Sequence, residues 1–160
     1  MRTKRSNGGM AIVSVQRDYP ANPLLAASIC VLREGRVLLA TRTRPPMNHL
    51  YTLPGGLVEP GETLAGAALR ELHEEVGVTA RILGLVCPIE VIEHDDDGAV
   101  RVHYVICAHA AQWVAGEPRT GPEAGAVIWA DPERLAELPT TPHLARIVEG
   151  AIALARQQPC

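Results

Sequence analysis

The amino-acid sequence predicts an α/β protein, a three-layer α/β/α sandwich built on one mixed β-sheet. Two observations predict this fold class. Apolar segments of strand length recur along most of the chain and are separated by Gly, Pro and Asp turn signals. A central segment and a final segment instead have the spacing and the start signals of helices. Because each helix follows a group of strands, the two helices can cover opposite faces of one sheet.

The strand candidates are apolar or alternating segments that end at turn residues. They are predicted at 24–32, 36–41, 50–53, 81–93, 99–112 and 126–130. Between the first two strands, Arg33-Glu34-Gly35 is a hairpin signal. Residues 95–98, Asp-Asp-Asp-Gly, are predicted to close a second, longer hairpin rather than to bind a metal, because their carboxylates point outward from a solvated tip.

The helix candidates have recognisable start and stop residues. The central helix is predicted at 64–76, with Thr63 as its N-cap and Gly77 as the glycine that ends it. A short helix at 131–138 and a final helix at 141–156 each begin with a capping residue followed by proline. These elements complete the sandwich.

Length and composition indicate one globular domain. The chain has 160 residues, of which 47% are hydrophobic and 21% charged. Its net charge of −3 argues against a long nucleic acid as partner, and no apolar run approaches the roughly 18 residues of a membrane span. The basic start is not followed by an apolar segment, so no secretory signal is expected. Residues 1–22 are predicted to be a mobile tail.

The cysteines indicate a reducing compartment. Cys30, Cys87, Cys107 and Cys160 lie far apart in the chain and form no C-x-x-C pair. Two of them lie within apolar strand candidates, where a thiol behaves as a small hydrophobic group. This pattern favours the cytoplasm and argues against a zinc site. A catalytic cysteine is the weaker alternative.

Three glutamates crowd one face of the central helix. Glu71, Glu74 and Glu75 span about 100° of a helical wheel. Like charges at this spacing cost an isolated helix about 0.2–0.5 kcal/mol per pair, so a compensating cation is expected. Clustered carboxylate oxygens suit Mg²⁺, with Mn²⁺ as the alternative ion. The competing interpretation is a solvated acidic face without a metal.

The segment around these glutamates resembles the signature of the Nudix hydrolases. The signature is Gly, five residues, Glu, seven residues, Arg-Glu, an aliphatic residue, any residue, Glu-Glu, any residue, Gly and an aliphatic residue. Its nine defined positions are filled here without a gap by Gly56, Glu62, Arg70, Glu71, Leu72, Glu74, Glu75, Gly77 and Val78. The similarity extends from about residue 24 to residue 138 and implies the three-layer Nudix fold, with a single domain at 23–157.

The resemblance implies a metal-dependent pyrophosphohydrolase. Members of the family use a divalent cation to cleave the pyrophosphate bridge of a nucleoside diphosphate that is linked to another group. Glu71, Glu74 and Glu75, together with the backbone carbonyl of Gly55, are the implied metal ligands and catalytic groups. The breaker cluster at Gly55 is expected to turn tightly and to expose that carbonyl. Arg70 is expected to brace Glu71 or the nearby Glu62 rather than to contact substrate.

Four further residues are weaker candidates for the site. Glu123 occupies a place where several family members supply another glutamate as ligand or base, and an exposed loop residue is the equal alternative. Arg42 and Arg44 are candidates for gripping phosphate through charge-assisted hydrogen bonds. Tyr51 is a candidate for stacking on a base, although packing in the core would explain it as well.

Patterns outside the signature bear on the identity of the substrate. Patterns around 45–46, 92–95, 103–104 and 128–129 are similar to the ADP-ribose pyrophosphatase branch, which implies AMP and ribose 5-phosphate as products. Glu93 and His94 stand where some ADP-ribose enzymes have a proline. The alternatives are a nucleoside triphosphate pyrophosphatase that removes damaged nucleotides and a nucleotide sensor without activity. Sensors typically lose a box glutamate, so the intact set favours an enzyme. The resemblance also allows a homodimer.

Overall fold

The structure is a computed structural model that describes residues 15–43, 48–121 and 124–158, with only the backbone described at Arg42 and Ala124. Within these ranges the chain forms seven strands and two α-helices. In chain order they are β1 (Leu24–Arg33), β2 (Arg36–Arg42), β3 (Tyr51–Thr52), β4 (Gly55–Leu57), α1 (Leu64–Val76), β5 (Thr79–His94), β6 (Val100–Ala115), β7 (Ala124–Ala130) and α2 (Leu144–Arg156). A 3₁₀ helix, Pro132–Glu137, precedes α2.

The strands form one mixed sheet that divides along β1. The main order is β3-β2-β1-β6-β5, β4 pairs with β1, and β7 pairs with β2. Only β1 and β6 run parallel among these pairs. One edge of β1 is shared, because Ala26–Ser28 pair with β4 whereas Leu32 and Arg33 pair with β2. The strands β2 and β4 therefore diverge from the same edge of β1.

Each helix packs a separate apolar cluster against one face of the sheet. The cluster under α1 contains Ile29, Val31, Leu38, Ala67, Ala68, Leu72 and Val76. The cluster under α2 contains Cys30, Leu39, Ile89, Leu144, Ile147 and Val148. Burying one such aliphatic side chain stabilises a fold by about 1.5–3 kcal/mol. The predicted three-layer α/β/α sandwich is confirmed.

The helix that carries the glutamates begins and ends at the predicted residues. Thr63 is the N-cap, and its hydroxyl accepts a hydrogen bond from the backbone N–H of Gly66 at 3.0 Å. Gly77 ends the helix in the left-handed conformation with φ of 72°, which glycine adopts at no steric cost. Local capping was therefore sufficient to place α1.

Two expectations about backbone conformation were wrong. Gly55 and Gly56 do not form a tight turn, because they are extended residues of β4 and neither has a positive φ. The final helix begins at Leu144 rather than at 141, since His143 has a φ of 69° that interrupts the helical backbone. The short helix at Pro132–Glu137 is of the 3₁₀ type.

Part of the predicted tail lies against the long hairpin. The hydroxyl of Tyr19 donates to Asp95 Oδ2 at 2.9 Å, and the backbone N–H of Tyr19 donates to Arg101 O at 2.8 Å. Asp18 lies 3.6 Å from the guanidinium of Arg101. These contacts attach Asp18 and Tyr19 to β6 and to the turn that begins at Asp95, whereas residues 1–14 lie outside the described ranges. The boundary between tail and domain stays a prediction.

Two smaller findings concern membranes and thiols. Neither of the two described α-helices is long and apolar enough to cross a bilayer. Cys30, Cys87 and Cys107 are free thiols. Burial raises the pKa of the Cys30 thiol to about 12, so this group is an apolar packing residue and not a nucleophile.

Leu72 should be a major contributor to stability because its side chain is fully buried between α1 and the sheet. We expect Leu72→Ala to lower the free energy of unfolding by about 2–5 kcal/mol, through lost burial and the cavity left behind. Urea denaturation followed by circular dichroism measures this loss. Val114→Ala is the control, since Val114 is 52% exposed and should change stability by less than about 0.5 kcal/mol. Equal losses in both variants would contradict the assigned core.

Candidate active site

The site is built where the glycines of β4 meet the acidic face of α1. A Cβ atom on Gly56 would overlap the Glu71 carboxylate and lie 2.8 Å from its Oε2 atom. A Cβ atom on Gly55 would overlap the carbonyl oxygen of Ala27 and lie 2.7 Å from the Cα atom of Ser28. Both positions require glycine because of close approach and not because of an unusual φ. The Glu71 carboxylate therefore lies directly against the glycine backbone of β4.

Glu75 is held by the backbone of the same strand. Its Oε2 atom accepts a hydrogen bond from the N–H of Gly55 at 3.1 Å. The neighbouring Pro54 O and Val58 N bond instead to β1. Residues of a strand alternate between its two edges, so the carbonyl of Gly55 faces the same open edge as its N–H. The predicted carbonyl ligand is thus on the side of β4 that Glu75 occupies.

Arg70 ties the acidic residues to one another and to β4. Its Nε and Nη2 atoms donate to the two oxygens of Glu62 at 2.7 and 2.9 Å. Its Nη1 atom donates to Glu71 Oε1 at 2.7 Å and to Glu74 Oε2 at 3.3 Å. Nη2 also donates to the carbonyl oxygen of Leu57 at 3.1 Å. Arg70 therefore bonds to both of the residues that it was expected to brace, and the expectation that it does not contact substrate stays a prediction.

The Arg70 network keeps Glu62 ionised. Its hydrogen bonds from the Arg70 guanidinium, helped by one from the backbone N–H of Glu59, lower the pKa of Glu62 from 4.5 to about 2. Hydrogen bonding to Glu62 in turn raises the pKa of Arg70 above its ordinary value. The side chains are 24% and 22% exposed, which limits solvent screening of the pair. Arg70 and Glu62 therefore form a permanent ion pair at neutral pH.

The donor set fits a hard divalent cation. Glu71, Glu74 and Glu75 offer anionic oxygens beside a backbone carbonyl, which are the ligand types that Mg²⁺ prefers. The expectation that their carboxylates bind one ion together stays a prediction. Among the described residues no three acidic, His or Cys side chains are close enough to hold an ion together. The physical reason is that Arg70 draws Glu71 and Glu74 to one side while the N–H of Gly55 holds Glu75.

The remaining predicted site residues are Arg42, Arg44, Glu123 and Tyr51. Arg44 and Glu123 lie outside the described residues, and only the backbone of Arg42 is described, at the end of β2. Tyr51 is half-buried against the apolar cluster under α2, so packing explains its side chain. Their roles toward a substrate stay predictions.

Sequence reasoning missed a contact at the C-terminal end of α1. Gly121, in the loop between β6 and β7, lies against the backbone carbonyls of Glu74 and Glu75. The Gly and Pro residues of this segment predict a loop and nothing about its contacts. No signal in the sequence connects Gly121 to α1, because the contact joins backbone atoms of residues 46 and 47 positions apart.

Comparison with known proteins identifies the family. The family model described as the NUDIX domain matches residues 22–150. The chain is 27% identical over 117 residues to the ADP-ribose pyrophosphatase of Methanocaldococcus jannaschii, covering 73% of this chain and 67% of that protein. It is 28% identical over 128 residues to the CTP pyrophosphohydrolase of Escherichia coli K12, covering 79% and 90%.

A solved structure agrees with this assignment. The MutT NUDIX hydrolase from Burkholderia pseudomallei superimposes with a TM-score of 0.70 at 30% identity, covering 81% of this chain and 98% of that one. The chain belongs to the Nudix hydrolase family. It is a pyrophosphohydrolase, an enzyme class that acts on small nucleotide substrates.

Stability should depend on pH through the Arg70–Glu62 pair. The pKa of Glu62 is lower in the folded protein than its ordinary value of 4.5, so its stabilising contribution is complete above about pH 4.5 and is lost as pH falls toward about 2. We expect the difference in unfolding free energy between the wild type and Glu62→Gln to shrink over this window. Urea denaturation at a series of pH values measures it. Glu133→Gln is the control, because its exposed side chain does not contact Arg70. A difference that is constant with pH would show that the pair does not lower this pKa.

Proposed function

We propose that the chain hydrolyses ADP-ribose to AMP and ribose 5-phosphate, with Mg²⁺ as its cofactor and Mn²⁺ as an alternative ion. The observation that carries this proposal is the placement of Glu71 over Gly56 and of Glu75 at the N–H of Gly55. Two carboxylates are thereby held on a rigid helix beside an open strand edge. Positioning and electrostatics account for most of the catalysis of phosphoryl transfer. A rigid helix would supply the positioning, and a cation held by its carboxylates would supply the positive charge.

The site residues divide into metal ligands and one positioning residue in this proposal. Glu71, Glu74, Glu75 and the carbonyl of Gly55 hold the cation. A bound Mg²⁺ neutralises phosphate charge and lowers the pKa of a bound water. Arg70 keeps the carboxylates in place and is a positioning residue rather than a group that contacts substrate.

The reaction is a hydrolysis that needs no other reactant. The oxygen of water bonds to one of the two bridge phosphorus atoms, and the bond from that phosphorus to the bridging oxygen breaks. The bridging oxygen leaves with the other phosphate. One of the three glutamates orients the water, and the proton lost by the water is released to a base, for which Glu123 is the additional candidate.

The choice of ADP-ribose rests on sequence similarity. The sequence patterns outside the signature are similar to the ADP-ribose branch, and the M. jannaschii relative is named for that substrate. The chain has two Trp, three Tyr and no Phe, so few rings are present to clamp a base. Selectivity would then depend on polar contacts to ribose and phosphate, with Arg42 and Arg44 as the phosphate-binding candidates and Tyr51 as the candidate for the base.

The second candidate function is hydrolysis of a nucleoside triphosphate. It is favoured by the E. coli relative, whose name gives CTP as substrate and of which the chain covers 90%. A sensor without activity is disfavoured because all the signature glutamates are present. The proposal also includes a small nucleotide as partner rather than a long nucleic acid or a membrane. It places the protein in the cytoplasm and allows a homodimer.

Glu75 should be essential for metal-dependent activity. Replacing it by Gln preserves the size of the side chain but removes a negative charge, so we expect kcat to fall by at least about 100-fold. In the wild type, millimolar Mg²⁺ should raise Tm because it binds only the folded form, and Glu75→Gln should reduce that increment. Glu149→Gln on the exposed face of α2 is the matched control. Near-native turnover by Glu75→Gln would exclude Glu75 as a ligand.

The substrate is tested by measuring kcat/KM for a panel of nucleotides with Mg²⁺. We expect ADP-ribose to give AMP and ribose 5-phosphate in equal amounts. We expect kcat/KM to differ little among nucleoside diphosphate derivatives with different bases, because a loosely held base contributes little discrimination. Arg44→Ala should raise KM more than it lowers kcat. A preference of about tenfold or more for a nucleoside triphosphate in kcat/KM would replace ADP-ribose by the second candidate.

A further inference from the structure

The last turn of α1 is in direct backbone contact with the loop that joins β6 to β7. A Cβ atom built on Gly121 would overlap the carbonyl oxygen of Glu75 and would lie 3.2 Å from the carbonyl oxygen of Glu74. Contacts below 3.4 Å already require a neighbour to move. Gly121 is therefore packed against the backbone of the two residues that supply the more C-terminal carboxylates of the site.

Two other contacts attach the same loop to the helix end. The N–H of Arg119 donates to the carbonyl oxygen of Val76 at 3.0 Å. A Cβ atom on Gly116 would lie 2.5 Å from the carbonyl oxygen of Gly77. The final carbonyls of a helix have no partner within the helix, so the Arg119 N–H satisfies one that the helix itself cannot.

The turn that carries Glu74 and Glu75 is thus enclosed on two sides. On one side the N–H of Gly55 holds the carboxylate of Glu75 at 3.1 Å. On the other side the 116–121 loop lies against the helix backbone. A displacement of the loop would displace the backbone of both glutamates together, which a single side-chain rotation could not correct.

We propose that Gly121 is a positioning residue of the metal site, which holds the backbone of Glu74 and Glu75 so that both carboxylates can bind one cation. This inference rests on the proposed function of those two glutamates. Any side chain at 121 must move either the loop or the last turn of α1. Its effect should therefore appear as weaker metal binding rather than as unfolding of the domain.

The experiment measures Mn²⁺ binding to the purified full chain by electron paramagnetic resonance of the free ion. We expect Gly121→Ala to raise the Kd for Mn²⁺ by about tenfold, within the usual range of coupling between neighbouring sites, while Tm falls by only a few degrees. The matched control is Gly84→Ala in β5. Its Cβ would lie 3.7 Å from Leu154 Cδ1, an ordinary contact, and Gly84 has no positive φ.

Enzyme kinetics gives a second readout on the same variants. In Gly121→Ala the Mg²⁺ concentration for half-maximal rate should rise in parallel with the Kd for Mn²⁺. Saturating Mg²⁺ should restore most of kcat, since the ligands themselves are intact. Unchanged Mn²⁺ affinity in Gly121→Ala overturns the proposal. Equal loss of affinity in Gly121→Ala and Gly84→Ala also overturns it.

Hydrogen exchange in the wild type tests the proposal without any substitution. If Gly121→Ala does not fold, this measurement decides the proposal. Coupling between two sites is reciprocal, so a loop contact that favours metal binding must itself be favoured by bound metal. Saturating Mg²⁺ should slow exchange of the Arg119 amide, which bonds to Val76. Exchange of the Arg134 amide, which bonds to Asp131 at the N-cap of the 3₁₀ helix, should not change. An Arg119 amide that is indifferent to bound Mg²⁺ contradicts the coupling.

The two proposals fail in different ways. If the wild type binds neither Mn²⁺ nor Mg²⁺, the proposed metal-dependent function is wrong, and the positioning role of Gly121 is wrong as well. If the wild type binds Mn²⁺ and Gly121→Ala binds it equally well, the metal function stands and only the positioning role is excluded.

Discussion

The hydrogen bonds of the Arg70 guanidinium are the interactions on which the rest of the site depends. The guanidinium is the point at which the segment before α1, the helix itself and β4 are joined, through Glu62, Glu71 and the carbonyl of Leu57. Arginine suits this position because its donors lie in a fixed plane, so two can meet both oxygens of Glu62 while the others reach different partners. The same group offsets the repulsion among the glutamates that the helix pattern predicts. A partly exposed pair of this kind contributes modestly to stability, and its main consequence is geometric.

The second constraint is space, which the glycines of β4 provide. A helix with three glutamates cannot lie against an ordinary strand, because side chains on the strand would displace the carboxylates. Gly55 and Gly56 remove those side chains, and Glu71 then occupies the volume that a Cβ on Gly56 would fill. The division of the sheet, with β2 and β4 sharing one edge of β1, leaves the outer edge of β4 open beside Glu75. The proposed site thus lies beside a gap in the sheet rather than on its continuous surface.

The scaffold and the substrate preference are separable properties of this enzyme. Two apolar clusters, one under each helix, stabilise the sandwich without contributing charged groups to the site. Relatives that share the NUDIX domain are named for ADP-ribose and for CTP, although the chain is 27% and 28% identical to them. Membership of the family therefore shows the reaction class, whereas the choice of substrate is a property of individual site residues rather than of the fold.

The sequence by itself determined the features that depend on neighbours in the chain. The bounds of α1, its N-cap Thr63 and its terminal Gly77 follow from capping and helical spacing within about 15 residues, and the three glutamates are on one face for the same reason. Six of the seven described strands were also predictable, with errors at their ends, and β4 was not. Only the tertiary structure decided that Gly55 and Gly56 form a strand, that Tyr51 packs under α2, and that Gly121 lies against the end of α1. These features arise from close contacts between distant segments, where the available volume selects the residue, and a local pattern carries no record of that volume.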